Sequence, residues 1–319
     1  MSVSAGQDGS PTAASAPSER PLIAAERLSK RFGRIRAVTD LTLEVRPGEI
    51  VGFLGPNGAG KTTTIRMLMG FISPSSGRCS VMGGSLRNEP ALKRHVGYLP
   101  GDFRMDFAMT GRDLFNWFGR LRGGVDRRRV DDLAGLLQLD PTRSYGALSK
   151  GNRQKIGIVQ AFMHDPEVLI LDEPTTGLDP LIQRQFLDLV REAAARGAAV
   201  LFSSHVLPEV ERLASRVAII KAGRLVTSSS VDDLMDHARH RLELRYTDPV
   251  PPDLFNNVPG IVEQEIDGKT VVITLDGPVG PALRVAASQT GLVRVSPAGD
   301  ELEDIFIKLY DGGAEAADA

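Results

Sequence analysis

The sequence contains very little cysteine: one residue, Cys79, in a chain of 319. A single thiol cannot form a disulfide within the chain, which excludes the small secreted domains that depend on disulfide frameworks. Long hydrophobic runs are also missing, since no segment approaches the roughly 18 uncharged apolar residues of a membrane-spanning helix. The chain itself is therefore not expected to cross a membrane.

An excess of charge of one sign is absent as well. The chain has 38 Lys and Arg against 40 Asp and Glu, which gives a formal net charge of −2 and a pI near 6.2. Domains that bind nucleic acid carry a basic surface, so no nucleic-acid partner is expected. The basic run at residues 127–129 is interpreted as a solvated helix face.

The first 20 residues lack the apolar segment of a signal peptide and are rich in Ser, Ala, Gly and Pro. This composition predicts a disordered tail over residues 1–20. The chain as a whole is 42% hydrophobic. It is therefore long enough and apolar enough to bury a large core, and its length predicts two domains.

A glycine-rich loop is the most specific motif present. Residues 55–62 read GPNGAGKT, which fits the pattern G-x-x-x-x-G-K-[ST]. Glycines let the backbone curl so that its N–H groups face an anion, while the lysine reaches the β- and γ-phosphates and Thr62 offers a hydroxyl to Mg²⁺. The residues predicted to contact the nucleotide here are Gly55, Pro56, Asn57, Gly58, Ala59, Gly60, Lys61, Thr62 and Thr63.

The flanks of this loop have the required character. Residues 49–54 are predicted to form a buried strand and residues 63–69 a helix, whose positive N-terminal end would face the phosphates. An ordinary glycine-rich turn is the alternative, and these flanks count against it. The chain is therefore predicted to bind a nucleoside triphosphate.

A second motif follows a hydrophobic run at residues 168–171. Such a run is typical of a strand in a buried parallel sheet, whose carboxyl end is where ligands bind. Asp172, which follows it, is predicted to hold Mg²⁺ directly or through water, and Glu173 to orient or deprotonate the attacking water. Taken alone, two acids after a strand could equally be a solvated turn or a helix cap.

Residues 148–152, LSKGN, precede a helix predicted over residues 153–164. Ser149 and Gly151 at the start of this helix predict an anion site with no lysine loop of its own. It therefore resembles half of a pocket, completed by a second copy of the chain. The alternative is that Ser149 is an ordinary helix cap.

These motifs together resemble the nucleotide-binding subunit of an ATP-binding-cassette (ABC) transporter, over about residues 22–235. The loop resembles the family's Walker A motif, LSKGN its signature motif, residues 169–174 its Walker B motif, residues 177–179 its D-loop and residues 203–205 its switch-histidine segment. The resemblance implies an α/β P-loop NTPase cassette over residues 21–238. That cassette has a parallel core sheet, an antiparallel β edge and a helical subdomain at about residues 103–165.

The resemblance also assigns roles to individual residues. Phe32 would stack on adenine, although a buried core phenylalanine is the alternative. His205 would contact the γ-phosphate and act with Glu173 and Lys61 in catalysis, and Asp179 would lie at the dimer seam. Each ATP with its Mg²⁺ would be held between Walker A of one copy and the signature residues of a second in a homodimer; these signature residues are Ser149, Gly151 and Asn152.

Two positions depart from the family pattern. Gly101 stands where the family commonly has a glutamine that couples the metal site to the helical subdomain. Either Asp102, which we favour, or a water or backbone carbonyl takes that role, or the coupling is weaker. In the signature motif, Lys150 and Asn152 replace a glycine and a glutamine, which adds a positive charge near a phosphate.

The single cassette with a C-terminal extension, and the run at residues 96–103, resemble ATPases that pair with separate ABC-2-type permeases. The resemblance implies a peripheral position on the cytoplasmic face of the membrane and export of a drug, antibiotic or other hydrophobic compound. One alternative is a cassette protein that acts on ribosomes or DNA. Another is a nucleotide-switched regulator with weak intrinsic hydrolysis.

Residues 239–319 are predicted to form a small accessory α+β domain. Strands are expected near residues 242–246, 261–265, 270–275 and 292–296, with short helices in the two crossovers and a final helix at residues 302–310. The dipeptide Asp267-Gly268 is a strong hairpin signal between the second and third of these strands. The order predicts a ferredoxin-like β-α-β-β-α-β fold.

Overall fold

A computed structural model of the protein describes residues 20–105, 108–236 and 240–298. The predicted tail up to residue 19 and the predicted final helix at residues 302–310 lie outside the described residues. The strands are β1 Ile23–Phe32, β2 Ile35–Val45, β3 Ile50–Leu54, β4 Ser76–Val81, β5 Val96–Leu99, β6 Val168–Asp172, β7 Ala199–Ser204, β8 Arg216–Lys221, β9 Arg224–Ser230, β10 His240–Tyr246, β11 Ile261–Asp267, β12 Thr270–Leu275 and β13 Leu292–Pro297. The α-helices are α1 Lys61–Leu68, α2 Gly111–Leu121, α3 Arg127–Leu136, α4 Lys150–Phe162, α5 Pro180–Ala195, α6 Leu207–Leu213, α7 Val231–Asp236 and α8 Gly280–Ser288.

The central sheet has six strands in the order β5-β6-β7-β3-β8-β9, and its strands are parallel except for β9. Every residue of β3, β6 and β7 is buried. This burial accounts for their continuous apolar runs, because a parallel sheet is covered on both faces. The carboxyl ends of these three neighbouring strands bring the loop after β3, the acids after β6 and His205 after β7 to one edge.

The predicted antiparallel edge is a separate three-stranded sheet in the order β2-β1-β4. It packs its buried side chains, among them Leu28 and Leu41, with residues of the central sheet in one apolar cluster. Residues 103–165 contain α2, α3 and α4, as the predicted helix-rich segment requires. Trp117 on α2 is 46% exposed, because α2 buries Leu114 and Phe115 instead.

The boundaries predicted for two helices were wrong. Helix α1 begins at Lys61 and not at residue 63, because Gly60, with φ +112°, turns the chain directly into the helix. Helix α4 begins at Lys150, three residues earlier than predicted, and ends at Phe162, two residues earlier than predicted. It starts there because the hydroxyl of Ser149 accepts a hydrogen bond from the backbone N–H of Asn152.

The C-terminal strands form a four-stranded antiparallel sheet in the order β11-β12-β10-β13. Residues 267–268 make the predicted hairpin, and α8 packs Ala282 and Ala286 on the sheet. The short helix expected between β10 and β11 was wrong, because residues 252–257 form turns. Two prolines precede this segment's apolar residues, and proline and asparagine disfavour helix interiors. The ferredoxin-like assignment remains a prediction.

Candidate functional site

The glycine-rich loop has a backbone that only glycine adopts easily. Gly60 has φ +112°, and a Cβ atom there would lie 2.7 Å from the carbonyl oxygen of Ala37. At Gly55, a Cβ atom would lie 2.5 Å from the carbonyl oxygen of Ile220. Asn57 and Gly58 are exposed at the tip of the loop, whereas Ala59 is buried. The loop is therefore held closely against β2 and β8.

The side chain of Lys61 is only 5% exposed and lies within the curve of this loop. Its Nζ atom donates hydrogen bonds to the carbonyl oxygens of Gly55 and Pro56, the latter at 3.2 Å. Burial lowers the pKa of Lys61, while the nearby carboxylates of Glu173 and Asp172 act in the opposite direction. The ammonium group thus lies among the loop's carbonyls, beside the two acids predicted as catalytic and metal-binding.

Thr62 and Asp172 meet although they are far apart in sequence. The Thr62 hydroxyl donates a 2.9 Å hydrogen bond to Oδ2 of Asp172, whose side chain is buried. A hydroxyl and a carboxylate are oxygen ligands of the kind that Mg²⁺ prefers, so these residues fit the predicted ion. Bound there with ATP, Mg²⁺ would neutralise charge on the phosphate oxygens. Among the described residues, no cluster of three or more His, Cys, Asp or Glu side chains forms another metal site.

Glu173 has an unusual backbone with φ +47°, a conformation that costs energy for residues other than glycine. Its backbone N–H donates to Ser203, to the carbonyl oxygen at 3.1 Å and to the hydroxyl at 3.0 Å. This turn directs the carboxylate so that Oε1 lies 3.7 Å from Nζ of Lys61 and 3.4 Å from Nδ1 of His205. The three predicted catalytic residues therefore meet at one point.

Ser203 has a structural role that the sequence did not predict. Besides holding the Glu173 backbone, its hydroxyl donates a 2.5 Å hydrogen bond to Oδ1 of Asp172. Both oxygens of the Asp172 carboxylate are therefore oriented, one by Thr62 and the other by Ser203. The only signal in the sequence is that Ser203 lies near the end of an apolar strand, two residues before the histidine.

The signature residues do not lie against the glycine-rich loop of the described chain; they lie against the segment around Gly177. A Cβ atom at Gly151 would lie 2.6 Å from the carbonyl oxygen of Gly177, so the two segments touch. Gln154, which sequence reasoning also missed, donates a 2.9 Å hydrogen bond to the carbonyl oxygen of Pro174. In the described chain, no hydrogen bond joins residues 149–152 to residues 55–62.

Both Ser149 and Asp179 cap helices. Ser149 caps α4, and Oδ1 of Asp179 accepts a 3.0 Å hydrogen bond from the Ile182 N–H at the start of α5. The interpretation of Ser149 as a cap is thus confirmed. A cap residue leaves further N–H groups of its helix free to bind an anion, so the predicted role at the second copy's ATP stays open as a prediction.

Gly101 lies directly beside Asp172. A Cβ atom built on Gly101 would be 3.6 Å from Oδ2 of Asp172, at ordinary contact distance. Asp102, favoured as the substitute for the missing glutamine, is 70% exposed and pairs with Arg104 at 2.7 Å. The role suggested for Asp102 therefore finds no support in this geometry.

Phe32 is 49% exposed at the end of β1, and Nζ of Lys30 lies 5.0 Å from the centre of its ring. The alternative interpretation of Phe32 as a buried core residue was wrong. An exposed ring is available to stack on a base, and adenine stacking remains a prediction.

The chain is similar to known proteins over most of its length. The model of the family described as "ABC transporter" matches residues 38–176. The bacitracin transport ATP-binding protein BcrA of Bacillus licheniformis is 33% identical over 303 residues, which cover 90% of this chain and 96% of that protein. This chain belongs to the ABC transporter family. It is an ATP-binding, ATP-hydrolysing subunit of a transporter.

Further similarities agree with this membership. The Nod factor export ATP-binding protein I of Burkholderia pseudomallei is 33% identical over 294 residues, covering 89% of this chain and 95% of that protein. A solved ATP-binding subunit of an ABC transporter is 31% identical with a TM-score of 0.62, covering 67% of this ABC chain and 91% of the solved one. ABC ATPase domains work as dimers with a membrane permease. Within the residues described, none of the helices has the length and apolar character needed to span a bilayer.

Proposed function

We propose that this ABC ATPase forms a homodimer on ATP binding and powers a separate ABC-2-type permease that exports a hydrophobic compound, such as a drug or antibiotic. The single observation that carries this proposal is the match to the bacitracin transport protein over 96% of its length. That match extends past the cassette into the C-terminal strands. Similarity to export proteins for Nod factor points to the same direction of transport.

Within the dimer, each residue at the strand edge has a proposed task. Thr62 and Asp172 hold Mg²⁺, and Lys61 binds the β- and γ-phosphates. Glu173 orients or deprotonates the attacking water, and His205 contacts the γ-phosphate. The second copy completes the site with its signature residues, which are Ser149, Gly151 and Asn152. The convergence of Lys61, Glu173 and His205 within 3.7 Å supports these assignments.

A groove beside Gly101 is the proposed contact with the permease, at the cytoplasmic face of the membrane. The groove has a volume of about 680 Å³. Its walls carry aromatic side chains and cationic side chains: Phe71, Tyr98, Phe103, Phe118, Lys93, Arg94, Arg104 and Arg122. Phe71 and Leu121 are more than half exposed there, an arrangement typical of protein interaction sites. Because Gly101 lies beside Asp172, a partner in the groove would lie close to the proposed metal site.

The proposal is tested by affinity purification of the tagged Glu173→Gln chain from membranes of its native host at saturating Mg-ATP. We expect a multi-spanning permease to copurify in stoichiometric amount. That permease, combined with the unmodified chain in lipid vesicles, should move labelled apolar compounds when ATP is supplied. A chain that stays in the membrane-free fraction with no such partner would contradict the proposal. The Lys61→Ala chain serves as the control that cannot be trapped by ATP.

A nucleotide-switched regulator with weak intrinsic hydrolysis is the second candidate. It is favoured by Gly101, which has no side chain that could extend towards Asp172, and by Lys150 in the signature motif. Tight ATP binding without turnover, in the presence of the copurified permease, would favour this candidate. Residues 239–319 are proposed as an accessory domain that supports the dimer, docks the permease or regulates either of them, next to a cassette over residues 21–238.

A further inference from the structure

One carboxylate oxygen joins the two loops that carry the catalytic residues. Oε2 of Glu209, on α6, accepts a 2.8 Å hydrogen bond from the hydroxyl of Thr175 and a 3.1 Å hydrogen bond from the hydroxyl of Ser204. Both hydroxyl-bearing residues are buried, with 6% and 3% exposure. Thr175 lies two residues after Glu173, and Ser204 lies immediately before His205.

The strand ladder does not hold these loops together by itself. The pairing of β6 with β7 ends at Asp172 and Ser203. Beyond that pair, the backbone N–H of Glu173 still bonds to Ser203, and then the segments after β6 and β7 separate. The bridge from Thr175 through Glu209 to Ser204 is the next connection along both loops. It lies next to the residues whose side chains must face each other, two residues after Glu173 and one residue before His205.

We propose that Glu209 is a positioning residue for ATP hydrolysis. Its carboxylate fixes the loop after β6 and the loop after β7 as one unit, so that Glu173 and His205 stay within reach of the same phosphate and water. Glu209 touches neither of those two side chains in the hydrogen bonds and ion pairs of the described residues. It acts through the loops that carry them.

A simpler role for Glu209 is stabilisation of α6, because an acid in the first turn of a helix interacts favourably with the N-terminal N–H groups. That role needs only a charge near solvent. It does not account for two buried hydroxyls, from different loops, that converge on the same oxygen. The hydrogen-bond bridge can therefore be separated from the charge by choice of variant.

Glutamine and alanine at position 209 make this separation. The amide oxygen of glutamine can accept both hydroxyl hydrogens without a negative charge, whereas alanine leaves two buried hydroxyls without that acceptor. Glu211→Ala is the matched control, since Glu211 is an exposed acid on the same helix. The Thr175→Val and Ser204→Ala chains each remove one arm of the bridge.

The experiment measures single-turnover hydrolysis of radiolabelled ATP by the full chain, per ATP-binding chain, over a range of Mg-ATP concentrations. For Glu209→Ala we expect the maximal rate constant to fall about tenfold, because small misplacements of catalytic groups are costly. The ATP concentration at half-maximal rate should stay within about twofold, since the glycine-rich loop is untouched. Glu209→Gln and Glu211→Ala should both keep rates within about twofold of the unmodified chain.

The proposal also predicts coupling between the arms of the bridge. Adding Thr175→Val to Glu209→Ala should lower the rate no further, because the hydrogen bond is already lost. A Glu209→Ala chain with an unchanged maximal rate would overturn the proposal. A Glu209→Gln chain as slow as the Glu209→Ala chain would also overturn it. So would a double variant in which the separate rate losses from Glu209→Ala and Thr175→Val multiply.

Discussion

The Nδ1 atom of His205 lies 3.4 Å from Oε1 of Glu173, and Nζ of Lys61 lies 3.7 Å from the same oxygen. The three side chains follow three different strands of the central sheet, β7, β6 and β3. One carboxylate oxygen therefore faces both the lysine predicted to bind the phosphates and the histidine predicted to contact the γ-phosphate. Such an oxygen is well placed to hold a water molecule for attack.

The first prediction concerns the Glu173→Gln substitution. It keeps the shape of the side chain but removes the carboxylate that is predicted to orient the attacking water or to accept its proton. We expect hydrolysis to fall at least about 100-fold while ATP stays bound and traps the homodimer. Turnover and the mass in solution are measured together, with Glu167→Gln, an exposed acid paired with His95, as control. A chain that remained monomeric at saturating Mg-ATP would speak against the shared site.

The second prediction concerns Lys61→Ala. The buried ammonium group already lies among the carbonyls of the glycine-rich loop, close to where the phosphates are predicted. Its loss removes the main positive charge of the loop, so we expect ATP binding to be abolished in a fluorescent nucleotide titration. Lys269→Ala, on the exposed hairpin of the C-terminal sheet, should bind ATP normally. Unchanged affinity in Lys61→Ala would refute the predicted nucleotide site.

The third prediction follows from Ser203, which orients one oxygen of Asp172 and the backbone of Glu173. Groups that orient a metal ligand in this way contribute substantially to metal affinity. For Ser203→Ala we expect the Mg²⁺ concentration at half-maximal hydrolysis to rise about tenfold. Ser288→Ala, which removes an exposed hydroxyl from α8, is the control and should leave the Mg²⁺ dependence unchanged. Equal Mg²⁺ dependence in both variants would rule out a role for Ser203 in orienting Asp172.

The fourth prediction is that Gly101→Gln fits the structure. Its Cβ atom would meet Asp172 at 3.4 Å and 3.6 Å, and Gly101 has no positive φ that would strain a side chain. The new amide oxygen can then reach the metal site, so we expect a lower Mg²⁺ concentration for half-maximal hydrolysis. Gly101→Leu supplies similar bulk without the oxygen and should show no such gain. A matching gain in both variants would mean that bulk, and not the amide, is responsible.

The fifth prediction concerns stability below neutral pH. Burial, assisted by the nearby cation of Arg122, lowers the pKa of His164 from 6.5 to about 4. Between these values the unfolded chain binds a proton that the folded chain does not, so the free energy of unfolding falls as pH falls from 6.5 towards 4. The loss should be about 2 kcal/mol between pH 7 and pH 5.

Denaturant unfolding of the unmodified and His164→Gln chains at several pH values measures this contribution. Glutamine does not titrate, and it can replace the contact between Nε2 of His164 and the carbonyl oxygen of Val96. The free energy of unfolding of the unmodified chain, relative to that of the His164→Gln chain, should therefore fall by about 2 kcal/mol from pH 7 to pH 5. Parallel curves would show that the histidine does not titrate as its burial implies.

Several elements could be predicted from sequence because their signals are local. The glycine-rich loop, the buried strand before Asp172 and the Asp267-Gly268 hairpin each depend on a few adjacent residues. The exposure of Trp117 could not be predicted in this way. Helical spacing tells which residues share a face, but not how far along the helix the neighbouring elements extend.

Residues 252–257 and Asp102 show the same limit. Residues 252–257 are turns and not a helix, and Asp102 pairs with Arg104 and not with the predicted metal-binding residues. Both outcomes depend on which partners the rest of the chain brings near. A pattern of residue types does not specify that choice.

Neighbouring residues in the sequence are enough to specify the local conformations of this ABC ATPase: a glycine-rich loop, strands apolar enough to be buried, and acids at a strand end. Which side chains meet depends instead on how the whole chain packs. Ser203 reaches Asp172 and Glu209 joins Thr175 to Ser204 because β6 and β7 pair in parallel with one particular register. The physical reason is that strand register and helix packing are set by burial of the whole core, to which distant residues contribute together.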